Sequence, residues 1–268
     1  MSESGSSPTD KKEMHLEREI TINAPVETVW KALTDANELT KWFPLSARVT
    51  PGKGGKIFLS WGPSCEGEAD IIAWEPNKKF ACKEPLAVIE WTLESRGGKT
   101  VVRLVQSGFA SGVDWENEWF ESTDYGWGFM LLSLRWALEV HPGATRQVVW
   151  PRQATEVTRP QAYSKLLSPG ALFREGASNL GPGDSFRVTT PSGECWTGTT
   201  QFARQGRGFC LSVKELNNSL FWVTIEGTPG EIEAQIWLSS FGLPEEKLRA
   251  FEGFWKNKLQ EIFPDRKN

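Results

Sequence analysis

Histidine and tyrosine are nearly missing from this chain, with two of each in 268 residues. His15 and His141 are the only imidazoles. They cannot supply a Ser–His–Asp or Cys–His set, so no catalytic residue is assigned. No metal ligand set is expected either. The four cysteines, Cys65, Cys82, Cys195 and Cys210, form no C-x-x-C pair. That pattern excludes a legible zinc knuckle and fits reduced thiols in a cytoplasmic protein. Long apolar runs are lacking too. The run "WGFMLLSL" stops at Arg135, short of the ~18–20 residues of a transmembrane helix, so no membrane span is expected. There is no excess of positive charge. Thirty Lys and Arg against 34 Asp and Glu give a net charge of −4. No nucleic-acid partner is expected from that balance. The opening "MSESGSSPTDKKEMHLE" has no apolar signal-peptide core. It reads as a disordered tail over 1–15, with a short polar tail over 265–268.

Tryptophan is what the chain has in quantity, 14 residues of it. Each brings a large apolar surface and one N–H donor. Such residues fill cores, and they also make stiff walls around cavities.

The sequence repeats itself in order. "APVETVWKALTD" (24–35) is similar to "VTRPQAYSKLLS" (157–168), and "GGKIFLSW" (54–61) to "GDSFRVTT" (183–190). "EGEADIIAWEPNKKF" (66–80) is similar to "TGTTQFARQGRGF" (197–209). "VIEWTLESRGGKTVVRLVQSGF" (88–109) is similar to "LFWVTIEGTPGEIEAQIWLSSF" (220–241). Helical patterns over 115–140 and 245–263 close the two halves. A duplication is the simplest account of blocks kept in one order. Cys65 and Cys195, and roughly Cys82 and Cys210, fall at similar points. The expected organisation is a first domain over 16–140 and a second, diverged one over 158–264. Residues 141–157 join them. There "RQVVW" reads as a first strand, which Pro151 argues against.

Within each half, short turn-linked runs predict an antiparallel meander. In "AVIEWTLE", Ile89, Trp91 and Leu93 share one face. In "TVVRLVQS", Val102, Leu104 and Gln106 do the same. In "PEEKLRAFEGFWKNKLQEIF", Leu248, Phe251, Trp255, Leu259 and Ile262 form a helical stripe. The apolar sheet face needs a cover, and the long terminal helix is available. The fold class is therefore α+β, with each half a curved antiparallel sheet wrapped around a long C-terminal helix. The first such helix contains "STDYGWGFMLLSLRWALE" (122–139). Its paired glycines around Trp127 allow a bend, close packing, or room for a ligand. Asp124 reads as a helix cap if 114–122 is a separate short helix; the alternative is one helix that bends near Gly126.

The runs "REITINAPVETVWKALTDANELTKWF", "GGKIFLSW", "GEADIIAWEPNKKF" and "TVVRLVQSGF…YGWGFMLLSL" together resemble the activator of heat-shock-protein-90 ATPase homologue family. That family sits in the START-like (SRPBCC, polyketide cyclase/lipid-transfer) superfamily. The resemblance covers 16–140 and, through the repeat, extends over 158–264. It implies two tandem helix-grip domains, each with a cavity for a small hydrophobic ligand, and a chaperone as the alternative partner. Many members carry His where Gln106 stands. Gln does not titrate near neutral pH, so acid–base work is not expected there.

The cavity-wall candidates combine periodicity with that resemblance. In the first half they are Ile71, Trp91, Leu104 and Gln106 from the sheet, with Trp119, Trp127, Leu131 and Leu134 from the helix. In the second half they are Phe202, Phe221, Val223, Ile236 and Leu238, with Phe251 and Trp255. Each of these except Gln106 fits equally well as plain core. The functional expectation is non-catalytic binding of an apolar or lipid-like molecule. A chaperone-ATPase activator is one alternative, and a cyclase- or hydrolase-like enzyme the other. No cofactor is expected. A fused duplicate can take the place of a two-fold dimer, so a monomer is expected.

Overall fold

The computed structural model describes residues 13–63, 65–110, 114–175, 180–228 and 231–265. The tail expected over 1–15 lies outside them up to position 12, as does the C-terminal tail from 266. Residues 13–15 already belong to the first strand. The chain divides into two compact units. One comprises residues 1–39 and 44–131, the other 40–43 and 132–268.

The first unit runs β1 (Glu13–Ile22), α1 (Val26–Thr34), α2 (Ala36–Leu39), β2 (Ser46–Thr50), β3 (Lys56–Ser60), β4 (Glu66–Glu75), β5 (Lys79–Lys83), β6 (Val88–Arg96), β7 (Lys99–Ala110) and α3 (Asp114–Glu139). Its sheet has the order β1-β7-β6-β5-β4-β3-β2. Every pairing is antiparallel. The meander is set by its turns. Asn77 takes a left-handed φ of 61° between β4 and β5, a conformation Asn tolerates through local hydrogen bonding. Gly97 and Gly98, both at positive φ, make the two-residue link between β6 and β7 that matches strand twist.

The second unit runs β8 (Arg146–Val149), β9 (Arg152–Thr155), α4 (Arg159–Leu166), β10 (Ser185–Thr189), β11 (Cys195–Arg204), β12 (Gly208–Val213), a 3-10 turn at Lys214–Leu216, β13 (Ser219–Thr228), β14 (Glu231–Phe241) and α5 (Glu245–Ile262). Its sheet has the order β10-β11-β12-β13-β14-β8, and β9 also pairs with β14. The first strand thus lies beside the last in both units. Pro151 does not abolish that strand; it splits it. Proline has no N–H to give, so β8 and β9 pair with β14 on either side of it. The Pro151 carbonyl still accepts from the Ile236 amide at 3.0 Å. In α4, Thr158 and Gln161 form a capping box, which satisfies two otherwise orphaned backbone donors.

The sheets share one irregularity. In β4 the register slips between Ile71 and Ala73, opposite Cys82 and Ala81. In β11 it slips between Thr200 and Phe202, opposite Leu211 and Cys210. A bulge of this kind adds one residue to one strand and turns the residues beyond it to the other face. Cys82 is therefore equivalent to Leu211, and Cys210 to Ala81. The two thiols face opposite sides, against the rough correspondence read from sequence.

The second unit's core gathers Val149, Trp196, Phe209, Leu211, Phe221, Val223, Ile225, Ile236, Leu238, Leu248, Trp255 and Leu259. The opposite face of its sheet is buried as well, at Cys210, Trp222 and Trp237.

Candidate functional site

In the first unit the face of the sheet toward α3 is set by cross-strand register. Ile71 lies opposite Cys82, Cys82 opposite Ile89, and Ile89 opposite Gln106. One step along, Phe80, Trp91 and Leu104 are in line, with Arg18 on the edge strand β1 completing the row. Ile71, Trp91 and Leu104 are buried, as are Trp127 and Leu131 of α3. One contact joins the sheet to α3 here. The Trp127 indole Nε1 donates to Gln106 Oε1 at 2.6 Å. The same indole meets the Trp91 ring edge-on, with centroids 5.4 Å apart and planes at 83°. Gln106 is 5% exposed. An indole N–H can only donate, so the oxygen of the carboxamide faces Trp127 and its NH2 group points elsewhere. That NH2 group donates to nothing among the described residues. It is not sealed off either, unlike the orphaned Nε of Arg18.

The remaining helix candidates are placed differently. Trp119 packs against Phe109, with centroids 4.5 Å apart. Leu134 is fully buried but groups with the second compact unit. Asp124 caps nothing, because α3 is one helix from Asp114 to Glu139. Its carboxylate lies 2.5 Å from Arg18 Nη2 and ties the helix to β1. Gly126 and Gly128 are not there for close packing, since a Cβ on either would meet nothing within 4 Å.

Burial, followed by the charge of Glu84, pushes the Cys82 thiol up to about 12. Burial likewise pushes Cys210 well above its ordinary value. Both stay protonated at neutral pH, and a thiol in that form is a poor nucleophile. Among the described residues no group of three or more His, Cys, Asp or Glu is arranged to hold a metal ion. No helix among them is long and apolar enough to cross a membrane.

In the second unit Phe221, Val223, Ile236, Leu238 and Trp255 sit in the core cluster, with Phe251 packed against it. Phe202 does not join them. It comes after the bulge and pairs with Cys210, so its side chain leaves by the other face. The residue that sequence reading missed is Trp196. It lies at centroid distances of 5.2 Å from Phe221, 6.1 Å from Trp255 and 6.3 Å from Phe251. Its signal was the alternation Trp196, Gly198, Thr200 in "CWTGTT". Outside this cluster lies a cavity of about 420 Å³. Trp196, Phe251, Phe254 and Trp255 wall it, and Glu194 and Lys247 stand at its rim.

Trp196 has a telling counterpart. It stands four residues before Thr200 at the bulge, as Gly67 stands four before Ile71. Trp196 pairs with Val188 and Gly67 with Leu59 on the neighbouring strand. A Cβ on Gly67 would meet nothing within 4 Å. Likewise Phe221, opposite Leu211 and Leu238, corresponds to Ile89, opposite Cys82 and Gln106. Strand β4 thus brings no indole to this face at Gly67, where β11 brings Trp196 onto Phe221.

Residues 23–139 match the sequence family described as Activator of Hsp90 ATPase homolog 1-like protein. No curated protein matches the chain. Among solved structures, the chain is similar to the Aha1 dimer from Colwellia psychrerythraea at 24% identity. That similarity spans 48% of this chain and 99% of that one, with a TM-score of 0.41. It is similar to protein SSP2350 from Staphylococcus saprophyticus at 22% identity, over 47% of this chain and 92% of that one, with a TM-score of 0.42. The di-domain ARO/CYC BexL from the BE-7585A biosynthetic pathway is similar along 94% of this chain and 99% of its own, at 13% identity and a TM-score of 0.42.

Proposed function

Because residues 23–139 belong to the activator of Hsp90 ATPase homologue 1-like family, we propose that the chain holds a small apolar molecule in the seam between sheet and C-terminal helix, without transforming it. The observation that carries this reading is the aromatic-walled space of about 420 Å³ between α5 and the β10–β11 turn. Ligand sites are typically concave, mostly apolar and roughly 300–1,000 Å³ in size, with a few polar groups at hand. The first unit supports the reading from its own side. A Cβ at Gly67, Gly126 or Gly128 would meet nothing within 4 Å, and the Trp91–Trp127 pair stands between sheet and helix. A thiol held protonated at Cys82 and a non-titrating Gln106 support binding over catalysis.

The test is a titration with 2-isopropylnaphthalene, read on the indole N–H resonances of Trp127 and Trp196. Saturable shifts of either resonance are expected. Failure of both to move at the probe's solubility limit would sink the proposal.

The family match supports a second reading, stimulation of a chaperone ATPase. It is decided by adding the protein to the chaperone at micromolar concentration and measuring phosphate release. An unchanged rate removes it.

A further inference from the structure

The polar group in the first unit's seam has a direction, and that direction selects a ligand. Gln106 sits on a sheet face with Ile71, Cys82, Ile89, Trp91 and Leu104, and with Arg18 at its β1 edge. Its oxygen is used by the Trp127 indole. Two N–H donors therefore remain in a largely apolar setting, reachable and without an acceptor among the described residues. A donor that a bound apolar molecule cuts off from water is costly unless that molecule brings it an acceptor. The Trp127 contact occupies the carboxamide oxygen, so donors are what this residue has left to offer a ligand. The second unit carries Leu238 at the equivalent position, opposite Phe221, with Trp196 packed on that phenylalanine. Only the first unit combines the polar anchor with the space at Gly67.

We propose that the first unit selects apolar molecules that present a hydrogen-bond-accepting oxygen, a ketone, quinone or carboxylate, and that Gln106 is the residue that reads it. The inference rests on the proposed reading of the seam as a ligand site. The second unit, with Leu238 in place of the amide, binds without this preference.

Two probes of nearly equal shape test it, 2-acetylnaphthalene and 2-isopropylnaphthalene. Binding is monitored on the Trp127 indole N–H resonance, assigned with Trp127→Phe, so that occupancy of the second unit does not enter. The ketone is expected to bind about three- to tenfold tighter, the worth of one net hydrogen bond. Gln106→Leu should make the two probes equal. At a pH high enough to ionise the new carboxyl, Gln106→Glu keeps an acceptor for Trp127 but removes the free donors, and should make the ketone the weaker ligand. 2-Naphthoate should behave like the ketone in the parent protein and lose most in Gln106→Glu, where two carboxylates meet. Equal affinities in the parent protein, or a ketone preference that survives both substitutions, overturn the inference while leaving the seam a binding site. If neither probe moves the Trp127 resonance, the seam reading fails in this unit and the inference falls with it.

Discussion

Gly67 and Trp196 hold the same register position in their respective sheets, four residues before the bulge. One leaves open space. The other places an indole against Phe221, Phe251 and Trp255. The two units share a frame and differ in how much of the seam is filled.

That difference can be written into the first unit by Gly67→Trp. The backbone there is not at positive φ and a Cβ meets nothing, so the substitution is expected to leave the protein folded. It should abolish probe shifts at Trp127 and leave those at Trp196 unchanged. Thermal unfolding and the two resonances together decide it.

Gly126→Ala and Gly128→Ala should each stabilise the unliganded protein by about 1 kcal/mol. Glycine inside a helix costs about that much relative to alanine, and nothing stands where the methyl groups would go. If the bare helix flank serves a ligand, the same changes weaken probe binding in the first unit. Urea midpoints give the stability and indole titration gives the affinity. A gain in stability with unchanged affinity would separate the glycines from the site.

Trp255→Ala removes a 1% exposed indole packed on four neighbouring rings. Large-to-small changes of this kind cost about 3–5 kcal/mol. Phe251→Ala, at the cavity wall and only partly buried, should cost less stability and more probe affinity. Equilibrium unfolding of both variants tests the ordering.

The thiols give a prediction in pH. Cys82 has its folded pKa raised from 9.0 to about 12, chiefly by burial. The native state therefore favours the protonated form. Its contribution to stability is complete below about pH 9 and is lost between about 9 and 12, as the unfolded chain's thiol ionises first. At pH 8 a thiol reagent should label Cys65 and Cys195, both exposed, quickly. Cys82 and Cys210, both buried, should react only on unfolding. Four fast equivalents would contradict this.

The strands were readable wherever one sheet face is apolar, because alternation then reports burial directly. Ile89, Trp91 and Leu93, or Val102, Leu104 and Gln106, could be placed without a structure. Phe202 could not. Counting by twos from Trp196 predicts it on the inner face, and the extra residue at the bulge reverses it. A bulge leaves no mark in composition. β2 was missed because "SARVT" is a short edge strand with no fully buried residue. Trp196 was missed because the repeat was matched only from Thr197 onward. The bond from Trp127 to Gln106 joins residues 21 apart, and no local pattern announces such a contact. Asp124 reads as a cap because Asp suits a helix start, whereas the alternative of one continuous helix is the one found, from Asp114 to Glu139.

The twin bulges also order events in time. A one-residue kink at the same step of the same strand in both sheets is most simply inherited from an ancestor that already curved there. Gly67 against Trp196, and Gln106 against Leu238, then date from after the copy was made. On that chronology the scaffold is the older trait and the contents of the two seams the younger. Descendants would be expected to vary first in what each seam admits and last in how the sheet bends.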